Sequence, residues 1–139
     1  MKLGAEEQIL VGQPPADETE TVIGSFPPTR EGLGAVFEDD GATGYFYAVD
    51  QGGEDPEILD ALHIYNVEDV ADKQLPVTAQ IFWNEEENAV ALILNGQCHA
   101  LYDFQRRAGF CRNAFPAAQN GQTEPRELTD ELVQQYFAA

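Results

Sequence analysis

Three apolar runs of strand length, Val77–Trp83, Ala89–Leu94 and Gln97–Phe104, follow one another with almost nothing between them. The first joint is Asn84-Glu85-Glu86-Glu87-Asn88, too polar to bury. The second is Asn95-Gly96, the dipeptide that best accepts the positive φ angles of a two-residue hairpin turn. Runs this close must fold back on each other, so they predict three consecutive antiparallel strands, a meander. An earlier pair repeats the pattern. Leu33–Phe37 and Gly44–Val49 flank Glu38-Asp39-Asp40-Gly41-Ala42-Thr43, an acidic turn with an Asp-Gly-type break. In the second arm Tyr45, Tyr47 and Val49 alternate with Phe46 and Ala48, so both faces are apolar, which predicts a central strand packed on both sides.

Elsewhere the signals are weaker. Short strands are expected at Gln8–Val11 and Thr21–Phe26, the latter stopped by Pro27-Pro28, because proline cannot donate to a sheet ladder. Ile58–Val67 fits both helical and strand spacing. The reading adopted is a strand over His63–Tyr65, with Asn66 capping a short helix through Val67, Val70 and Lys73. The last element is a helix whose stripe is Leu128, Leu132, Val133, Tyr136 and Phe137, with Thr129 as N-cap and Leu128–Val133 as a hydrophobic staple. The expected fold is α+β, an antiparallel β-meander sheet with a C-terminal helix and one short helix packed on it. It forms one domain over 1–139: peripheral strands and loops over 1–30, a sheet core over 31–116, a linker over 117–127 and the helix over 128–138.

Charge narrows the function classes. The net charge is −18, and residues 1–95 carry 20 acidic side chains against 3 basic ones. Nucleic acids and anionic membranes are recognised by lysine and arginine faces, so neither is expected as a partner. A basic protein is. Residues 96–139 are nearly balanced, with 5 acidic against 4 basic. There Arg106, Arg107 and Arg112 cluster among Tyr102, Phe104 and Phe110. The N-terminus lacks the apolar core of a secretory signal, and no run has the length of a membrane span, so a cytoplasmic location is expected. Cys98 and Cys111 then read most simply as buried thiols, the lesser alternative being a disulfide that closes a short loop around the arginine cluster.

No catalytic motif is present, neither a nucleophile elbow nor a phosphate-cradling glycine loop, and the reading leans away from an enzyme. No metal or cofactor is expected. The carboxylates of Glu38-Asp39-Asp40-Gly41 are adjacent in a tight turn, not spaced like calcium ligands. Cys98, His99, Cys111 and His63 form a formal zinc set, but strand neighbours such as Cys98 and His99 point apart. Two candidate sites remain. One is an acidic partner-binding surface at the hairpin tips, Glu38, Asp39, Asp40, Glu85, Glu86 and Glu87. The other is an anion or ligand site at His63, His99, Asp103, Arg106, Arg107 and Arg112, against which stands pairing of those arginines with the chain's own carboxylates.

Several stretches resemble a family of small bacterial proteins known only as a domain of unknown function. They are Phe37-Glu38-Asp39-Asp40-Gly41 with Gly44-Tyr45-Phe46-Tyr47-Ala48, then Ile58-Leu59-Asp60-Ala61-Leu62-His63-Ile64-Tyr65-Asn66-Val67, and finally Ile93-Leu94-Asn95-Gly96 and Tyr102-Asp103-Phe104 with Gly109-Phe110-Cys111-Arg112. The resemblance covers roughly residues 33–116. It implies a bacterial origin and a small stand-alone domain, and it supplies no catalytic residue. The functional expectation is a non-catalytic acidic protein-binding domain, by analogy of the immunity or antitoxin kind, meeting a basic protein partner. The alternative is a small-molecule or anion site, binding or enzymatic, around the arginine–histidine cluster.

Overall fold

A computed structural model describes the chain except for residues 17, 28, 30, 119–121 and 138–139. It is mainly antiparallel β. The strands are β1 (Lys2–Ile9), β2 (Thr21–Ser25), β3 (Leu33–Asp39), β4 (Thr43–Asp50), β5 (Glu57–Asn66), β6 (Val77–Trp83), β7 (Ala89–Leu94), β8 (Gln97–Asp103) and β9 (Ala108–Cys111), followed by helix α1 (Asp130–Phe137). They form two sheets, ordered β1-β6-β7-β8-β9 and β2-β3-β4-β5. The expected meander is present as β6-β7-β8, but a single sheet is not the architecture. The chain begins in the first sheet, builds the second, then returns.

Alternation explains which faces meet. In the four-stranded sheet Ile23, Phe37, Phe46 and Leu62 are cross-strand partners in one row, and all four are buried. In the five-stranded sheet the matching rows are Trp83–Val90–Tyr102 and Ile81–Leu92–Ala100. These rows form one core between the sheets. Burying each large side chain contributes about 1.5–3 kcal/mol. Trp83 also donates from Nε1 to Ser25 Oγ at 2.9 Å, a buried bond between the sheets.

A second, smaller core lies on the outer face of the five-stranded sheet. Ala91, Cys98, Leu101, Ala108, Phe110 and Leu128 are buried there under Leu132, Val133, Tyr136 and Phe137 of α1. Thr129 caps the helix, its Oγ1 accepting from Leu132 N at 3.2 Å. The expected helix end at 138 and residues 119–121 of the expected linker lie outside the described residues, as do Pro28 and Arg30.

Three local expectations need correction. β1 starts at Lys2, well before Gln8, because it is an exposed strand paired with β6 alone and needs no apolar alternation. The short helix after Asn66 is a single 3-10 turn, Val67–Asp69, and the Asn66 side chain makes no capping bond. Instead β5 runs ten residues, since both sides of its ambiguous pattern satisfy a strand. The chain turns at 104–107, where Arg107 has φ 54°, and Gly109 lies inside β9. Asn95 and Gly96 adopt the expected left-handed turn, with φ 48° and 80°.

Candidate functional site

The arginine patch is organised around α1. Asp103, at the end of β8, is buried and accepts from the backbone N–H of Gln105 and Arg106 through Oδ1. Its Oδ2 accepts from Tyr136 Oη at 2.6 Å. Arg106 donates to the same Tyr136 oxygen at 2.9 Å and pairs with Glu124. Arg112 donates from Nε to Cys98 O, from Nη1 to Leu128 O and from Nη2 to Asp130 Oδ1 at 2.9 Å. Arg106 therefore grips the last turn of α1 and Arg112 its first residue, about 9 Å apart along the helix axis. The two guanidiniums brace a helix and do not converge on one pocket. Arg107 is exposed at the turn.

The two histidines are separated by the same architecture. His99 is the extra residue of a bulge in β8, where Leu92 faces Ala100 and Ile93 faces Cys98. Burial and then the nearby Arg112 charge push its pKa down. The bulge also shifts phase, so Cys98 joins the helix-side core and Ala100 the core between sheets. His63 stands on β5 in the other sheet. Its ring bonds Asn66 Oδ1 at 3.0 Å and Asn113 Nδ2 at 2.5 Å. Both cysteines are free and buried. Burial pushes the Cys98 thiol up to about 11 and raises that of Cys111, so neither is an activated thiolate. Among the described residues no group of three or more His, Cys, Asp or Glu side chains is placed to hold a metal.

Two of the six acidic tip residues are not surface groups. Asp39 is only 2% exposed; its carboxylate accepts from Gly12 N, Gly41 N and Tyr65 Oη at 2.6–2.8 Å, tying an N-terminal loop and β5 to the β3–β4 turn. Glu87, with φ 57°, is folded inward with Oε2 3.6 Å from Lys2 Nζ. The other four do reach the surface. Glu85 accepts from the N-terminal ammonium at 2.5 Å, and Glu86 accepts from Asn84 Nδ2 at 3.3 Å. Asp40 accepts from Ala42 N and Thr43 N, which holds its pKa below the ordinary value. Glu38 is half-buried, and its pKa is raised by that burial, then by its hydrogen bond to Glu20 and by the charges of Glu20 and Asp40.

Glu38 belongs to a surface the sequence did not reveal. On the outer face of the four-stranded sheet, register places Val22, Glu38, Tyr45 and His63 in one row and Gly24, Val36, Tyr47 and Ala61 in the next. Tyr45 and Tyr47 stack with centroids 6.0 Å apart; Tyr45 meets His63 edge-on at 5.3 Å, and His63 meets Phe115 edge-on at 5.8 Å. Phe26, close over Gly34, extends the belt toward β2. Val22, Phe26 and Phe115 are 46–55% exposed. The expectation that β4 is packed on both sides therefore fails: Phe46 and Ala48 are buried, while Tyr45 and Tyr47 are only half-buried.

Arg126 is the other residue the sequence reading missed, since it fell in the expected linker. It is 7% exposed and makes a bidentate pair with Asp60, at 2.9 and 2.5 Å. It also donates to the carbonyls of Pro116, Gly109 and Ala61. A Cβ on Gly109 would stand 2.3 Å from Asp60 Oδ2, so glycine is what lets β9 approach the pair. The pair joins the two sheets where β5 meets β9, and every contact points to structure.

Fold and surface together define a small two-sheet β domain with one face braced by a helix and the other open and aromatic. The chain belongs to the family described as an uncharacterized protein conserved in bacteria (DUF2251), which matches residues 11–137 and so extends well beyond 33–116. It is also 31% identical over 138 residues to an uncharacterized protein of Haemophilus influenzae, an alignment covering 99% of this chain and 82% of that protein. No solved structure matches it. Among the described residues no helix is long and apolar enough to cross a membrane.

Proposed function

We propose that this protein is a non-catalytic binding domain, of the immunity or antitoxin kind, that meets a basic protein partner through its acidic surface. The observation that carries this reading is the grouping of Glu20, Glu38 and Asp40, in which Glu20 hydrogen-bonds Glu38 and, after burial, the neighbouring charges raise the Glu38 pKa. None of the three forms an ion pair among the described residues. Like charges held together cost free energy that an incoming cation would relieve. The net charge of −18 adds long-range attraction to the same kind of partner. The anion-site alternative has less support, because Arg106 and Arg112 already donate to Tyr136, Glu124, Asp130 and two carbonyls.

Affinity capture of the native partner from cell extract, washed at low and then high salt, tests the reading. A basic protein retained at low ionic strength and released by salt is expected. An empty low-salt eluate, or a partner held unchanged in high salt, would falsify the electrostatic basis.

A further inference from the structure

We propose that the open outer face of the four-stranded sheet, centred on Tyr45 and Tyr47 and bordered by Glu38, is where a lysine- or arginine-bearing segment of the partner docks. This rests on the basic-partner reading and gives it a location. The first support is the difference between the two outer faces. In the five-stranded sheet α1 covers that face over β7–β9, and Leu3 on the edge strand β1 stays exposed. In the four-stranded sheet Val22, Phe26 and Phe115 stay about half exposed. Exposed apolar and aromatic side chains gathered on one face of a highly charged chain mark an interaction surface.

Charge complementarity selects the occupant. Tyrosine faces attract ammonium and guanidinium groups within about 6 Å of the ring centroid, and more strongly when water is excluded. Glu38 lies opposite Tyr45 in the same row, and Tyr47 lies close enough for the Glu38 charge to raise its phenol pKa, second only to burial. A cation beside this pair would meet aromatic rings and a carboxylate together. Glu20 and Asp40 add their charge at the same edge. A second copy of the chain is a poor occupant, because this face would bring Glu38 and its neighbours against their own kind. Tyr45 and Tyr47 are two residues apart on one strand, the same spacing that separates same-side residues of an extended segment, about 6.8 Å. A bound segment therefore presents alternate side chains to successive rings.

The test uses the full chain with fluorescein-labelled octalysine as probe, read by anisotropy at low salt. Tyr47→Ser and Phe115→Ser are compared with wild type, and Glu85→Gln/Glu86→Gln serves as the acidic control at the other tip. Trp83 fluorescence, reporting the core between the sheets, verifies folding of each. The expected result is about a tenfold loss of affinity for Tyr47→Ser and a smaller loss for Phe115→Ser, with less than about a twofold change for the control. Glu38→Gln is expected to weaken binding by about three- to tenfold. Binding that ignores both aromatic variants but falls in the control overturns the location and leaves the basic-partner reading standing. No octalysine binding by wild type overturns both. A wild-type dimer in sedimentation that Tyr47→Ser dissociates would reassign the face to self-association.

Discussion

Arg126 and Asp60 are the residues on which the joint between the sheets depends. Their side chains are 6% and 8% exposed, and the guanidinium satisfies three carbonyls besides the carboxylate. Removing one partner strands a buried charge, so Arg126→Met is expected to destabilise the domain by about 3–5 kcal/mol in urea unfolding. The double variant with Asp60→Asn should lose less than the sum of the two single losses, because the pair is removed as a unit. Glu38 and Asp40 make opposite predictions about pH. The pKa of Glu38 is raised in the folded state, so its contribution is fully present below about 4.5 and is lost as pH rises through the folded value. Glu38→Gln should therefore raise the melting temperature near neutrality, and that gain should vanish in acid. Asp40 is shifted down, so its contribution is present above about 3.8 and is lost as pH falls. Asp40→Asn should cost stability near neutrality and little in acid. Thermal melts of the two variants across pH 3–8 check both signs.

At the scale of elements, α1 illustrates how a marginal helix is held. At eight residues it is too short to persist alone, and none of its side chains is fully buried. Its docking relies on Thr129 at one end and on Tyr136 with Asp103 and Arg106 at the other. Thr129→Ala should cost about 1 kcal/mol. Tyr136→Phe should cost about 1–3 kcal/mol, since it leaves Asp103 Oδ2 without its donor. Hydrogen exchange should show the loss as faster exchange confined to α1. Elements were also where the amino-acid pattern was most readable. β6 and β7 have the bounds their apolar runs define, and Asn95-Gly96 turns as its chemistry requires. β1 was obscured because an exposed edge strand shows no alternation. β9 was obscured because four buried residues between an arginine turn and a polar loop carry no period of their own.

At the scale of the molecule, the asymmetry between the two outer faces is the consequential feature. One carries a helix over β7–β9; on the other Tyr45, Tyr47 and His63 are half-buried and Phe115 is exposed. With a net charge of −18 on 139 residues, association with a basic partner should be salt-dependent in its on-rate more than in its off-rate. Stopped-flow mixing at two ionic strengths with the captured partner would check this. A rate indifferent to salt would mean the charge does not steer the encounter. The positions of β6 and β7, the Asn95-Gly96 turn, the capped terminal helix and the acidic character follow from local chemistry along the chain, where neighbours in sequence determine the outcome. Which strands share a sheet, that Asp39 and Glu87 turn inward, that Arg126 reaches Asp60 across 66 residues, and that Tyr45 stays open while Phe46 is buried were decided only by tertiary structure. The reason is physical: alternation says that two faces differ, but only the packing of one sheet on another says which face meets the core and which meets solvent.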